Sequence, residues 1–200
     1  MVDRMHPLLR RAVRVVALTA AALGVGTLSS SEEGHELDAS AFRAVNAGHG
    51  PAADLVFSSV TELGSLYASC AAALALAAFG HRGTAGRAIT AACATWGAGQ
   101  VLKREVGRPR PYELYPGGTR RMIGRPPQSS WPSSHPAVLT AFVTVAGRGL
   151  GLSPGVRRGL LGLSVAVAAS RVYLGVHYPS DVVSGVLLGR AVGELASPDR

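Results

Sequence analysis

Six apolar stretches dominate the pattern of hydrophobic and polar positions along the chain. They cover residues 13–28, 66–79, 88–102, 137–152, 160–172 and 182–195. Several are shorter than the roughly 20 residues that cross a bilayer comfortably. Flanking small residues lengthen each stretch, and arginines at the ends can extend their charged heads to the membrane surface. The pattern predicts an all-α, six-transmembrane-helix bundle. The alternative, a soluble bundle of buried helices, would need a polar face that few positions here can form.

The segments between these stretches differ in character. Residues 30–63 are polar and acidic, and their apolar positions recur at a spacing that predicts amphipathic helices along the membrane interface. Such helices would form either a lipid-entry surface or a plain connector. Residues 112–131 are rich in proline and glycine, which predicts a loop. We therefore divide the chain into an amino-terminal end with the first transmembrane helix (1–29), an interfacial extracytoplasmic segment (30–63) and a five-helix core (64–200).

The amino terminus has a second interpretation. Arg4, Arg10, Arg11 and Arg14 precede the first apolar stretch, which is also the arrangement of a secretory signal. No small-residue cleavage site of the A-x-A type follows it, and the apolar run is nearer to an anchor in length. We expect residues 13–28 to remain as the first membrane helix.

Composition favours a membrane protein of one domain. Hydrophobic residues make up 48% of the 200 residues and charged residues only 16%, and the mean hydropathy is +0.24. The formal net charge is +8, but the arginines lie at the ends of apolar runs instead of massing with aromatics, so we expect no nucleic-acid partner. Cys70 and Cys93 lie inside apolar runs and have neither disulfide-framework nor zinc-site spacing.

Three short polar clusters lie where apolar stretches begin or end. They read KREVGRPRP (103–111), WPSSHP (131–136) and SRVYLGVHYPSD (170–181). Lys103 ends the third stretch, His135 begins the fourth and Arg171 ends the fifth, while His177 to Asp181 lead into the sixth. In an up-and-down bundle these points fall on one face. The sequence therefore predicts a site at one membrane face, built from basic residues, serines, two histidines and an aspartate.

The spacings K-x6-R-P, P-S-x-H and S-R-x5-H-x3-D, in this order, resemble the type-2 phosphatidic acid phosphatase superfamily. That superfamily includes vanadium haloperoxidases and bacterial polyprenyl-diphosphate phosphatases, and the resemblance covers residues 103–181. One position departs from the family pattern, because Ser134 stands where glycine is usual. The resemblance implies a helical membrane enzyme that removes phosphate from lipid phosphates. No carboxylate cluster or Cys/His ligand set accompanies the motifs, so the sequence predicts a metal-independent phosphatase without a cofactor.

The resemblance also implies catalytic roles. His177 would be the nucleophile that forms a phosphohistidine, and Asp181, four residues on, would hold its other ring nitrogen. His135 would protonate the leaving group and later activate water. Taken without the family spacing, a histidine and aspartate pair of this kind is more often an ordinary interfacial hydrogen bond.

The remaining site residues would bind phosphate. Lys103, Arg110 and Arg171 would form a charge clamp on the phosphoryl oxygens. Spacing selects Arg110 over Arg108, which we expect to lie behind it. Ser133, Ser134 and the first amides of the fourth helix would also contact the anion. There are alternatives to these phosphate-binding roles. The basic residues would then only extend their charged heads from helix ends to the membrane surface, and Ser133 would only cap the fourth helix. Three loop arginines are candidates for a second phosphate: Arg120, Arg121 and Arg125.

Charge asymmetry predicts the orientation. The motif face would carry the acidic segment 30–63, and the opposite face would carry nine arginines, at positions 4, 10, 11, 14, 82, 87, 148, 157 and 158. The positive-inside rule then predicts a cytoplasmic amino terminus and an outward-facing site in the plasma membrane. The expected partners are the bilayer and a lipid phosphate.

Outward topology suits a polyprenyl diphosphate, our leading substrate. The alternative substrates are phosphatidic acid, phosphatidylglycerol phosphate and a polyprenyl-phosphoryl sugar phosphate. The sugar phosphate would suit an inward-facing site better. Two other classes of function use the same anion pocket. They are a vanadate-dependent haloperoxidase, disfavoured by the short apolar chain, and a non-catalytic lipid-phosphate binder, disfavoured by the complete set of His135, His177 and Asp181.

Overall fold

The computed structural model describes residues 6–48 and 50–198. These residues form nine α-helices and no β-strand, which confirms the all-α prediction. The helices are α1 (Pro7–Leu28), α2 (Glu32–Asn46), α3 (Pro51–Glu62), α4 (Leu66–Ala78), α5 (Arg82–Val106), α6 (Pro111–Leu114), α7 (Ser134–Gly149), α8 (Pro154–Tyr173) and α9 (Pro179–Ala196).

Local signals in the sequence set the helix ends. Ser31, Ser65 and Ser153 precede α2, α4 and α8, and each hydroxyl accepts a hydrogen bond from an amide in the first turn. Gly107 ends α5 in the left-handed conformation, with φ of 62°. Pro179 occupies the first turn of α9, as its fixed φ favours. These signals place the motif residues at helix ends.

The six apolar stretches lie in α1, α4, α5, α7, α8 and α9. Within the described residues, none of the helices taken singly has the length and hydropathy of a membrane span, but two bent pairs have both. These pairs are α1 with α2, bent by 94°, and α3 with α4, bent by 61°. The count of six spans stays a prediction, as does the division of the chain at residues 29 and 63.

The closest helix packing joins α7 and α9. Gly185, Gly189 and Gly193 recur every four residues on the face of α9 that meets α7. A Cβ atom at Gly189 would lie 2.1 Å from the carbonyl oxygen of Ala137, and one at Gly185 would lie 2.4 Å from that of Ser133. Only glycine permits this approach. The first turns of α7 and α9 therefore meet at one end of the bundle, where the amide of Ser133 donates to the carbonyl of Asp181 at 3.0 Å.

Candidate active site

All eight residues of the predicted site lie at this same end of the bundle. Lys103 is in the last turn of α5 and Arg171 in the last turn of α8, while Ser134 and His135 open α7. His177 lies in the link before α9. Six of the eight residues are at most 5% exposed: Lys103, Arg110, Ser133, Arg171, His177 and Asp181. Ser134 and His135 are partly buried.

Arg110 joins the loop before α7 to the link before α9. One terminal nitrogen donates to the carbonyl of Val176 at 2.8 Å and lies 3.3 Å from Nε2 of His177. The other donates to the carbonyl of Ser129 at 3.2 Å. Nζ of Lys103 donates to the same carbonyl at 2.9 Å. A shared backbone acceptor thus holds the two cations side by side, next to the imidazole.

Asp181 lies on the other side of the imidazole. Its Oδ2 is 3.5 Å from Nδ1 of His177, too far for a hydrogen bond, and Nδ1 is buried without a partner. The same oxygen accepts from the amide of Tyr178 at 2.8 Å and from the hydroxyl of Ser130. The carboxylate is therefore oriented by other groups, and it faces Nδ1 while Nε2 faces Arg110.

The surroundings of His177 favour its neutral form. Burial is the main cause that lowers its pKa well below the ordinary histidine value, and the positive charges of Arg110, Lys103 and Arg171 lower it further. The side chain is therefore a neutral imidazole near pH 7 when no anion is bound. A neutral ring is what a nitrogen nucleophile requires.

Arg108 lies behind Asp181. Its guanidinium donates to Oδ1 of Asp181 at 2.6 Å and to Oδ2 of Asp38 at 2.7 Å, and it packs over the ring of Tyr178 with its Cζ 4.5 Å from the ring centroid. Asp38 also accepts from the amide of Ser180 at 2.9 Å and from its hydroxyl. This buried network ties the first turn of α9 to α2.

Sequence reasoning missed Asp38. The residue belongs to the segment that we interpreted as an interfacial connector, and nothing in its local pattern names a partner 70 or 142 residues away. A weak signal was present, because Asp38 lies one helical turn before Phe42 on the apolar face of α2, where a carboxylate is out of place.

We expect Asp38→Asn to lower turnover about tenfold, with little change in the amount of folded protein. The change removes the charge that helps Arg108 hold Asp181, and a buried hydrogen bond to a charged group is worth roughly 1.5–3 kcal/mol. Phosphate release by the purified variant would measure this. Glu36→Gln, an exposed change on the same helix, is the matched control. Parent-like turnover in folded Asp38→Asn would contradict the positioning role.

Several polar atoms at this end are buried without a partner. They include the hydroxyl oxygen of Ser133 and Nε of Arg171. Ser133 stands at the N-cap position of α7, yet its hydroxyl makes no capping bond, so simple N-capping does not explain this serine. A terminal nitrogen of Arg171 donates to Thr61 of α3 at 2.9 Å. Unsatisfied buried donors are costly, and they are a usual feature of a site whose ligand supplies the acceptors.

The loop arginines have other partners. Arg120 makes two hydrogen bonds to the carboxylate of Asp54 in α3, at 2.9 and 2.5 Å. The guanidinium groups of Arg121 and Arg125 lie over the ring of Tyr112, with Cζ 5.3 and 5.8 Å from its centroid. The ion pair with Asp54 reduces the charge that Arg120 can offer a second phosphate.

Fold and site together define a class: all-helical proteins in which helix ends gather basic residues, two histidines and an aspartate at one end of the bundle. Residues 84–198 match the family model of the PAP2 superfamily. This chain belongs to the PAP2 superfamily, and the resemblance inferred from the three motifs is confirmed.

Two curated relatives and one solved structure are similar to this chain over different shares of its length. It is 41% identical over 95 residues to a decaprenylphosphoryl-5-phosphoribose phosphatase of Mycobacterium tuberculosis, covering 48% of this chain and 49% of the relative. It is 34% identical over 101 residues to an undecaprenyl-diphosphatase of Sulfolobus acidocaldarius, covering 49% and 46%. The aligned regions thus span about half the length of these relatives.

The solved structure is that of a transmembrane PAP2-type phosphatidylglycerolphosphate phosphatase from Bacillus subtilis. It superposes with a TM-score of 0.79 and covers 92% of this chain and 94% of that chain, at 21% identity. At this identity the likeness shows the fold alone. The similarity in fold therefore extends beyond residues 84–198 to almost the whole described helical bundle.

Proposed function

We propose that the protein is a metal-independent phosphatase that removes phosphate from a lipid. One observation carries this proposal. Lys103, Arg110 and Arg171 are buried around His177, and within residues 6–48 and 50–198 no carboxylate lies at ion-pair distance from any of them. Burial of a cation with no carboxylate in direct contact is costly, so the site favours an anion with several oxygens. A phosphoryl group has that charge and geometry.

In the first proposed step, Nε2 of His177 attacks phosphorus. The N–P bond forms, the P–O bond to the lipid breaks, and His135 gives its proton to the leaving oxygen. Negative charge on the bound phosphate favours the protonated form of His135 before this step. Asp181, on the Nδ1 side of the ring, stabilises the positive charge that develops on the imidazole.

In the second step, the phosphohistidine is hydrolysed. His135, now neutral, takes a proton from water as the water oxygen attacks phosphorus, the N–P bond breaks and inorganic phosphate leaves. Lys103, Arg110 and Arg171 compensate the charge on the phosphoryl oxygens in both transition states. The hydroxyl of Ser133 and the amino-terminal amides of α7, which begins at Ser134, are suited to bind the same oxygens.

Metal independence rests on the charge of the site. Three buried cations around the proposed phosphate position would repel a divalent metal ion and already supply the positive charge that such an ion would bring to phosphoryl transfer. We therefore expect the clamp residues to replace it.

The lipid and membrane parts of the proposal rest on the bundle surface. Large apolar side chains are exposed on several of its long helices, for example Val16 of α1, Leu74 of α4 and Val165 of α8. Exposed apolar surface of this extent is typical of helices that contact lipid. With the site at one end of the bundle, a lipid phosphate at the membrane surface is the natural substrate. We infer a plasma-membrane protein with an outward-facing site from the arginines at the opposite end.

Two substrate classes have separate support. Outward orientation favours a polyprenyl diphosphate, and the Sulfolobus relative is named for that activity. The engagement of Arg120 with Asp54 favours a single terminal phosphate instead, and the mycobacterial relative is named for a polyprenyl-phosphoryl sugar phosphate. The two classes share a polyprenyl carrier and differ in the group next to the phosphate that leaves.

A lipid panel distinguishes these candidates. We expect detergent-purified protein in EDTA to release inorganic phosphate from a polyprenyl-linked substrate faster than from phosphatidic acid or phosphatidylglycerol phosphate. The panel should contain both polyprenyl classes, with His177→Ala as the blank. Strict loss of turnover in EDTA would contradict metal independence.

The lipid panel and a bromide-oxidation assay together test the two other classes of function. If folded protein binds lipid phosphate but releases no inorganic phosphate from any lipid, it is a non-catalytic binder. Bromide oxidation that depends on added vanadate would indicate a haloperoxidase.

A further inference from the structure

A second cationic region lies at the other end of the bundle. Two cavities of about 810 and 290 Å³ open there. Arg14 of α1, Arg148 of α7 and Arg157 of α8 line both. Arg10 and Arg11 add to the larger cavity and Arg190 to the smaller one. From residue 135 to residue 148 along α7 is about 20 Å at 1.5 Å per residue, so this region is separate from the proposed active site.

Positive charge is in excess at these cavities. Among the described residues that line them, Glu194 is the one carboxylate, and it is paired with Arg148 at 2.5 Å and with Arg190 at 2.7 Å. In the described part of the chain, no carboxylate lies at ion-pair distance from Arg14 or Arg157. Arg4, which the sequence also assigned to this face, lies outside the described residues. Arginines drawn from separate helices around one cavity favour a multivalent anion over water.

The cavity walls are also apolar. Leu8 and Leu152 line the larger cavity, and Val143 and Leu161 line the smaller one. Val143 lies six residues before the end of α7, which is about 9 Å along the helix. In the smaller cavity, charge at the end of the bundle and apolar walls one to two turns deeper match an amphiphile, with its anionic part outside and its hydrocarbon inside.

We propose that these cavities bind the headgroup of an anionic phospholipid, with Arg14 and Arg157 on its phosphate and the apolar walls against the start of an acyl chain. Basic pockets between helix ends are a recurrent form of lipid-headgroup site. The proposal rests on the membrane embedding proposed above and on none of the catalytic steps. Its occupant would be a structural lipid and not the substrate, because the cavities lie at the end of the bundle remote from His177.

The test measures lipid binding to the delipidated full chain in neutral detergent. Phosphatidylglycerol and phosphatidylcholine are titrated separately, and native mass spectrometry counts bound lipid. We expect selective retention of phosphatidylglycerol by the parent protein. In the double variant Arg14→Gln/Arg157→Gln we expect its affinity to fall about 25-fold, because each basic residue near an anionic lipid contributes roughly fivefold.

Arg82→Gln/Arg87→Gln is the matched control. Both arginines are exposed in the first turns of α5, at the same end of the bundle, and neither lines the cavities. Retained selectivity in this control, with loss in the cavity variant, would support the proposal. Equal binding by the cavity variant and the parent, or an equal loss in both double variants, would overturn it. Displacement of the lipid by millimolar inorganic phosphate would also overturn it, by identifying a site for free phosphate. Because binding is read without turnover, failure of the phosphatase proposal would leave this result unaffected.

Discussion

We expect His177→Ala to reduce phosphate release to the level of a reaction without protein, by at least about 10,000-fold, while the protein stays folded. Removal of a catalytic nucleophile commonly costs this much, because the remaining groups cannot replace the covalent step. The neighbouring residues keep their own partners after the change, since Arg110 still donates to Val176 and Asp181 is still held by Arg108 and Tyr178. Phosphate release in EDTA would measure the loss of turnover, and the thermal midpoints of the parent and the variant would show whether the variant stays folded.

His81→Ala is the matched control for this change. His81 precedes α5 at the other end of the bundle and is exposed, so its loss should leave turnover unchanged. A second measurement separates a nucleophile from a positioning group. Rapid acid-free quenching with phosphorus-labelled substrate should trap a base-stable, acid-labile label on the parent chain at His177. Turnover in His177→Ala near the parent level, or a label on another residue, would remove His177 from the proposed role.

We expect Gly189→Ala to destabilise the bundle by about 3 kcal/mol, the upper end of the usual cost of overpacking. The added methyl group would lie 2.1 Å from the carbonyl oxygen and 2.8 Å from the carbonyl carbon of Ala137. Both are backbone atoms of α7, so relief requires the two helices to separate. For a chain of this size the thermal midpoint should fall by roughly 6–12 °C. Turnover should fall as well, because the same packing holds the first turn of α7, which contains His135, against the first turn of α9.

Gly162→Ala supplies the comparison. Gly162 lies on the exposed side of α8, and no atom lies within 4 Å of a Cβ atom built there. At such a position alanine is the better helix former by roughly 1 kcal/mol, so the midpoint should stay level or rise. Equal behaviour of the two variants would contradict close packing between α7 and α9.

Much of the fold could be predicted because it follows from local pattern. Apolar runs mark the long helices, and residues such as Ser65, Pro179 and Gly107 define helix ends through their own backbone or side-chain chemistry. The three motifs were placed correctly at the ends of α5, α7, α8 and α9. Their catalytic roles come from the family resemblance and stay predictions until the variants are measured.

The support behind the site could not be predicted in the same way. Asp38 holds Arg108 across 70 residues, and Asp54 pairs with Arg120 across 66 residues. Asp54 does not differ in its local pattern from the other acidic residues of segment 30–63, and Asp38 differs only in lying on the apolar face of α2. Choosing the right partner requires knowing which helix faces which, and that depends on packing of side chains distant in sequence.

The amino-acid sequence determined the helical class, the positions of the helix ends and the set of chemical groups at one end of the bundle, because these depend on residues near one another in the chain. Tertiary structure decided how close the helices lie, which carboxylates pair with which arginines, and that a second set of arginines surrounds cavities at the opposite end. Those features depend on the distances between helices. The glycines of α9 permit the close approach of α9 to α7. A four-residue glycine spacing indicates that close packing is possible, but only the folded bundle identifies α7 as the partner.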